Sequence, residues 1–402
     1  MKYFYHIIVL LFVYSCSSVE IADQSDLIIT PIDENTKFIN FLDSEWEKSL
    51  NENPLFASYV GDKRLNSKIN SNSIEQFNIE KQSNIKSLND LKNINVSNLS
   101  DDNILNYKLY EFGIKRNIEL ANFPTYFLRI NQRGGIQSFY ETGNRLVYSS
   151  YQDYYDWYLR LNEFSKNIYT FIDINRQGLA KGITQPKMIT QGVVSQIERI
   201  INSDIDSNPY MKVFLEADEN LISLSDKTIL IDKARELIIT KIIPAYVDLN
   251  DFLKNEYLPN SRDSIGISDV PGCKEYYEYL SKFYTTTDLT PDEIHQIGLD
   301  EIKRIRSEME DIIQQVNWNG DFSSFLNYLR TNPRFYYDNP NDLFNAYLIM
   351  SKTIDPLLPK IFKVFPRAPY GVIPIPDESA PFTTTAYYNS PSPGRPGYFY
   401  AC

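Results

Sequence analysis

Histidine and cysteine are scarce in this sequence, and their scarcity excludes several kinds of active site. The 402 residues include two histidines, His6 and His295, and three cysteines, Cys16, Cys273 and Cys402. Catalytic zinc sites commonly use two or three histidines, and no Cys-x-x-Cys pair occurs. Because His6 lies in a segment that we expect to be removed, we predict no metal site within this chain. A Ser-His-Asp or Cys-His arrangement would depend on His295 alone, for which we predict a structural or surface role.

An excess of positive charge is also missing. The net charge is −12, and there is no basic patch and no glycine loop that could bind phosphate. An acidic surface repels phosphate backbones, so we predict no nucleic-acid partner. Hydrophobic residues make up 43% of the chain, which is enough for a large core. Packing should explain most of the 30 tyrosines, although tyrosine also suits ligand clefts.

The N-terminus has the features of an export signal. Lys2 precedes a short apolar run, and Ser15 stands before Cys16. This pattern is typical of a secretory signal, and the cysteine predicts a lipoprotein in which Cys16 is lipidated. We therefore predict a signal peptide over 1–16 and a polar tether over 17–36. The membrane would be contacted through the lipid anchor only. Ser17 after the cysteine favours the outer membrane within the cell envelope. The alternative is an ordinary signal peptide in which Cys16 is incidental.

The rest of the chain is predicted to be mainly α-helical, in one large domain over 37–402. Apolar residues recur at helical spacing over 37–50, 151–174 and 227–258, where Pro244 would interrupt or kink the helix. Residues 66–106 are rich in asparagine and serine and could be a disordered linker, but recurring Ile and Leu favour helices. The best-defined helix starts at Thr290, with Glu293 completing a capping box. Its core-type stripe comprises Ile294, Ile297, Ile302, Ile305, Met309, Ile312 and Val316.

From Pro356 onward, proline, glycine and aromatic residues alternate. Proline at this density forbids a continuous helix and favours short extended or β segments near the C-terminus. A strand is predicted at Gly397–Tyr400. A domain rarely ends inside a strand at its most aromatic segment, so we expect the domain to be C-terminally incomplete. A naturally truncated paralogue is the alternative.

Several segments in the same order resemble one family, the bacterial proteins called domain of unknown function 885. The resemblance spans roughly residues 37–400. Its strongest segments are Asn131-Gln132-Arg133-Gly134-Gly135, Gly178 to Pro186, Leu289 to Gly298, Pro369 to Pro376, and Arg395-Pro396-Gly397-Tyr398-Phe399-Tyr400.

That family resembles zinc metallopeptidases of the all-helical His-Glu-x-x-His type. Its members carry His-Glu-Ala-x-Pro-Gly-His-His shortly after the position that matches Tyr400. Two histidines one helical turn apart hold zinc, and the glutamate activates the bound water. The resemblance therefore implies zinc in the full-length protein and a peptide substrate. None of these ligands lies within the 402 residues, so no catalytic or metal-binding residue is carried over, and we expect this chain alone to be inactive.

The substrate side of such a site is what remains. In these peptidases the strand before the motif often binds an extended substrate as an added strand, and Gly397 to Tyr400 occupies that place in the sequence. Tyrosine hydroxyls could polarise a carbonyl, and an arginine could hold a carboxylate. The candidate substrate-binding residues are Tyr387, Tyr388, Arg395, Tyr398 and Tyr400. The alternative is that they pack a proline-rich turn against the helices.

Two functions remain open from the sequence. One is the N-terminal portion of an exported zinc peptidase-like hydrolase. The other is a lipoprotein that binds peptide or glycan in an aromatic cleft and performs no chemistry.

Overall fold

The computed structural model describes residues 33–376, 384–392 and 394–401. Cys16 and the predicted signal peptide lie outside these residues, as does most of the predicted tether. The described chain is mainly helical, with a small sheet near its C-terminal end, which confirms the predicted fold class. The helices are α1 (Glu34–Glu52), α2 (Pro54–Tyr59), α3 (Ile74–Leu91), α4 (Asp101–Leu120), α5 (Tyr140–Arg145), α6 (Tyr151–Ala180), α7 (Lys187–Asn202), α8 (Lys212–Leu215), α9 (Leu224–Leu237), α10 (Ile243–Phe252), α11 (Lys274–Thr285), α12 (Pro291–Gln315), α13 (Phe322–Thr331) and α14 (Pro340–Ile354).

Side-chain caps fix where several helices begin. Asp33 accepts hydrogen bonds from the backbone N–H groups of Asn35 and Thr36 at the start of α1, so this helix begins inside the predicted tether. At α12, Thr290 accepts from the Glu293 N–H and the Glu293 carboxylate accepts from the Thr290 N–H. This is the predicted capping box, and it satisfies two donors that a helix start leaves free.

The Asn-rich segment 66–106 is largely helical, as its recurring Ile and Leu predicted. It contains α3 and the start of α4, and Glu45 of α1 ties these helices together. The Glu45 carboxylate accepts from the hydroxyls of Ser87 and Tyr110, each at 2.7 Å, and from the Lys48 ammonium at 3.0 Å. Burial raises the pKa of Glu45, but these hydrogen bonds outweigh it and leave the pKa below its ordinary value.

The main core lies between α6, α7, α9 and α10. The predicted aromatic helix runs from Tyr151 to Ala180 and contributes fully buried rings such as Trp157. Polar tips inside this core are paired. The hydroxyls of Tyr210 and Tyr246 lie 2.6 Å apart, and Tyr246 donates to the Ile136 carbonyl oxygen at 2.8 Å. Each of these buried hydroxyls therefore has a partner, as burial requires.

Two wide helical turns explain how the chain passes two prolines. The helix over 227–258 was predicted to be interrupted or kinked at Pro244. The α-helix is interrupted there: α9 ends at Leu237 and α10 begins at Ile243, with π-helical turns at Ile238–Ile242 and Leu253–Tyr257 on either side of α10. Proline has no N–H to donate to the carbonyl oxygen four residues earlier. For Pro244 that carbonyl lies in the first π-helical turn, and for Pro259 it lies in the second. The wider turn accommodates the missing hydrogen bond.

The C-terminal helices are packed differently from the rest. In α12, only Ile313 is buried, and no residue of α13 or α14 is buried. Five of the seven residues in the stripe that was predicted to be a core face are exposed, and Ile294 and Met309 are half-buried. Amphipathic spacing identifies the apolar face of a helix, but it does not show which other element covers that face.

Candidate functional site

A three-stranded sheet gathers the predicted substrate-binding residues. Its strands are β1 (Tyr370–Pro374), β2 (Ala386–Asn389) and β3 (Gly397–Ala401), in the order β1-β3-β2. β3 pairs parallel with β1 and antiparallel with β2. The strand predicted at Gly397–Tyr400 is present, but both of its edges are taken. The prediction that a substrate strand pairs with β3 is therefore wrong. A substrate strand would have to pair with β1 or β2.

Three of the predicted tyrosines form one aromatic face. Tyr387 stands opposite Tyr400, and their rings stack with centroids 4.6 Å apart and an interplanar angle of 11°. The Tyr398 ring meets Tyr400 edge-on at 6.4 Å. Side chains alternate between the two faces along a strand, so Tyr398 and Tyr400, which are two residues apart, share a face. All three rings are half-buried, which leaves part of this aromatic face open to a ligand.

Tyr388 lies on the other face of the sheet and is 52% exposed. It stands opposite Phe399, whose ring contacts Tyr347 of α14 with centroids 6.2 Å apart. A Cβ at Gly397 would overlap the Tyr388 hydroxyl. The Tyr388 ring therefore lies across Gly397, and the missing side chain at 397 makes that position possible.

Arg395 holds the turn between β2 and β3. Its guanidinium donates to the carbonyl oxygens of Ser390 at 2.7 Å and Pro396 at 3.3 Å. Ser392 and Arg395 exchange two backbone hydrogen bonds, and Gly394 between them has φ +81°, which favours glycine. Arg395 therefore stabilises its own turn. None of these contacts reaches a helix, whereas the packing alternative had predicted contacts with the helices. Binding of a substrate carboxylate by Arg395 stays a prediction.

The sheet is tied to the end of α14 by a contact that the sequence did not indicate. The Tyr370 hydroxyl donates to Asp355 at 2.7 Å, and Lys352 forms an ion pair with the same carboxylate at 2.9 Å. The hydrogen bond to Asp355 raises the pKa of Tyr370. Tyr370 and Asp355 are 15 residues apart and follow no motif, so only the folded chain shows that they meet.

The described residues do not fit a zinc site. His295 lies in the first turn of α12 and is exposed. Within 33–376, 384–392 and 394–401, no group of three His, Cys, Asp or Glu side chains is placed to hold a metal ion. A zinc ion bound by the protein would need ligands from outside these residues.

Comparison with known families decides the chain's membership. The family described as bacterial protein of unknown function (DUF885) matches residues 54–401. The chain belongs to this DUF885 family. No curated protein matches the chain.

Two solved structures share the DUF885 chain's fold. One is a candidate lipoprotein from Colwellia psychrerythraea, with a TM-score of 0.81 and 20% identity over 92% of this chain and 68% of that one. The other is a candidate lipoprotein of unknown function from Shewanella oneidensis, with a TM-score of 0.59 and 14% identity over 90% of this chain and 64% of that one. Both proteins extend well beyond the part that this chain matches.

Proposed function

We propose that this DUF885 chain is the peptide-binding portion of an exported, zinc-dependent hydrolase that acts on peptides. The observation that carries the proposal is strand β2. It is an edge strand of the described sheet and bears Tyr387 on one face and Tyr388 on the other. The resemblance of the family to His-Glu-x-x-His peptidases supports the same substrate class.

Binding would proceed by strand addition. β3 occupies one edge of β2, and no described strand pairs with the other edge. An edge with no described strand beside it can offer backbone N–H and C=O groups to an extended peptide. Alternate side chains of the peptide would then contact Tyr387 or Tyr388. Backbone hydrogen bonds would supply affinity for any sequence, and the two tyrosines would select between sequences.

The zinc chemistry would depend on residues outside this 402-residue chain. Zinc would supply the activated water in the whole enzyme. This chain's own contribution is to hold the peptide extended along β2. Arg395 holds the end of that strand by donating to the Ser390 carbonyl oxygen, and the missing side chain at Gly397 makes room for the Tyr388 ring.

A second function is favoured by the stacked face of Tyr387, Tyr398 and Tyr400. Stacked tyrosine rings also suit the flat faces of sugars. On this alternative, the chain is a lipoprotein that binds glycan and performs no chemistry. Binding of a glycan fragment, lost on Tyr387→Ala and unaffected by Tyr388→Ala, would favour it over the peptide proposal.

Strand addition can be tested with N-methylated peptides. Only alternate residues of an added strand bond to the edge. N-methylation of the peptide residues whose N–H groups bond to β2 should weaken binding about tenfold or more, because each lost backbone hydrogen bond costs about 1 kcal/mol. N-methylation of the other alternate residues should have little effect. Titration calorimetry with two peptides of identical sequence measures both. Equal loss from both sets, or from neither, would contradict strand addition.

Tyr388 gives the matching test on the protein. We expect Tyr388→Ala to weaken peptide binding several-fold because Tyr388 belongs to the edge strand and is 52% exposed, whereas Tyr336→Ala should not. Tyr336 is a fair control, since it is 56% exposed and lies outside the sheet. Both variants should unfold at the same temperature as the original chain. Equal peptide affinity in the two variants would remove Tyr388 from the site.

We propose that the protein is held in the cell envelope by a lipid on Cys16, with the outer membrane as its destination. The candidate lipoproteins of the same fold support this location. Among the described residues, no helix is both long and apolar enough to cross a bilayer. Metabolic labelling with an alkynyl palmitate should mark the protein and fail on Cys16→Ala. A label that persists on Cys16→Ala would rule out this anchor.

A further inference from the structure

Helix α12 carries an apolar seam that the described chain leaves mostly exposed. The seam is Ile302, Ile305, Met309, Ile312 and Val316. Steps of three, four, three and four residues are the spacing of one half of a coiled-coil interface. Ile302 is 65% exposed, and Ile305, Ile312 and Val316 are each at least 45% exposed. Isolated apolar residues on a surface are ordinary, but a continuous seam over four turns marks an interface.

The neighbours of α12 leave most of this seam free. α11 contacts α12, and α13 packs beside it, with the Arg306 guanidinium 3.5 Å from the Phe322 ring centre. Charged residues elsewhere on α12 pair within the helix. Arg304 binds both Glu301 and Glu308, and Arg306 binds Glu310. The helix is therefore stabilised as a helix by its own ion pairs. Four of the five seam residues stay exposed in the described chain, and Met309 is half-buried.

We propose that the seam binds an amphipathic helix of the same polypeptide, contributed from outside these 402 residues. The Colwellia protein supports this occupant through its fold alone. The match covers 92% of this chain, which must include most of its C-terminal helices. The same match covers 68% of the Colwellia protein. About a third of that protein is thus available to pack against the shared part. A helix with apolar residues at the same three-and-four spacing fits the seam by knobs-into-holes packing.

The test compares labelling rates of single cysteines in two proteins. One is this 402-residue chain, and the other is the product of the complete reading frame. Cys16 and Cys402 are replaced by serine, and Cys273 stays because it is fully buried. Ile305→Cys reports on the seam. Lys303→Cys is the matched control, because two residues along a helix turn about 200° away from the seam, and its side chain is 78% exposed.

In the 402-residue chain, both cysteines should react with a maleimide at similar rates. In the longer product, Ile305→Cys should react at least about tenfold more slowly, since only local opening would expose it, while Lys303→Cys should change less than about twofold. Ultracentrifugation of both proteins identifies the occupant.

Three results would overturn the proposal. The first is equal labelling of Ile305→Cys in both proteins. The second is protection that disappears on dilution as a dimer dissociates, because a second copy would then cover the seam. The third is a reading frame that stops at codon 402. The first two results leave the proposed function untouched. The third would also remove the zinc-dependent hydrolase, whereas peptide binding at β2 would still be tested by its own experiments.

Discussion

Replacing Arg160 with alanine should destabilise the protein by about 3 kcal/mol, one of the two largest effects that we expect from a single substitution. Arg160 lies on α6 and is fully buried. Its guanidinium donates to the carbonyl oxygens of Lys68 at 2.6 Å and Leu65 at 3.0 Å, and to the Ser58 hydroxyl at 2.9 Å. These contacts hold the segment between α2 and α3 against the core.

The size of this effect follows from charge. Burial lowers the pKa of Arg160 to about 10, so the group is still charged at neutral pH. Each hydrogen bond from a buried charged donor contributes about 1.5–3 kcal/mol, and alanine would leave the acceptors unpaired and a cavity behind. Alanine also removes the cost of desolvating the guanidinium, which offsets part of the lost hydrogen-bond energy. The net loss of stability is therefore about 3 kcal/mol.

Urea unfolding followed by circular dichroism measures the free energy of unfolding. Arg176→Ala is the matched control on the same helix, because Arg176 is exposed and pairs with Glu256 at the surface. We expect that control to cost less than about 1 kcal/mol, and Arg160→Lys to fall between the two. A loss at Arg160→Ala no larger than at Arg176→Ala would show that the buried contacts add nothing.

Alanine at Gly143 should also destabilise the protein, by about 1–3 kcal/mol or more. Gly143 is a helical residue of α5, and a Cβ there would lie 2.5 Å from two carbons of the Trp157 ring. That ring is 1% exposed and stacks on Phe139 with centroids 5.6 Å apart. A rigid ring in a filled core cannot move aside cheaply. The overlap should therefore outweigh the gain of up to about 1 kcal/mol from better helix propensity.

Gly113 provides the opposite outcome from the same substitution. It lies inside α4, and nothing would meet a Cβ there within 4 Å. Gly113→Ala should therefore stabilise the protein by about 0.5–1 kcal/mol. Thermal unfolding by calorimetry measures both variants, and Trp157 fluorescence reports on the ring at Gly143→Ala. Changes of the same sign at the two positions would contradict this account of the packing at Gly143.

Local chemistry explains which helices the sequence could predict. The capping box of Thr290 and Glu293 involves residues three apart, so the start of α12 is evident from the sequence. The aromatic helix over 151–174 was also predicted, but it continues past Gly178 to Ala180. Gly178 packs against Phe127, where a Cβ would lie 3.0 Å from the Phe127 Cβ. A glycine that reads as a helix end can instead serve close packing with a distant residue.

The candidate site was predicted in composition but not in arrangement. Tyr387, Tyr398 and Tyr400 do come together, and the strand at Gly397–Tyr400 exists. Its central position was missed, because β1 joins it in parallel from 27 residues away. Parallel pairing across such a distance leaves no periodic signal in the sequence. The use of Arg395 within its own turn depends on carbonyl positions that only the folded backbone defines.

The sequence by itself determined the helical class, the capping box of α12, the apolar stripe of the same helix and the low histidine count of two. These follow from residue types and from spacings of a few positions, where backbone geometry is fixed. Only the tertiary structure decided that β2 is an edge strand of the described sheet, that Tyr370 meets Asp355, and that most of the α12 stripe is exposed among the described residues. These depend on which distant surfaces meet, and burial against a distant partner is set by the whole fold rather than by any local pattern.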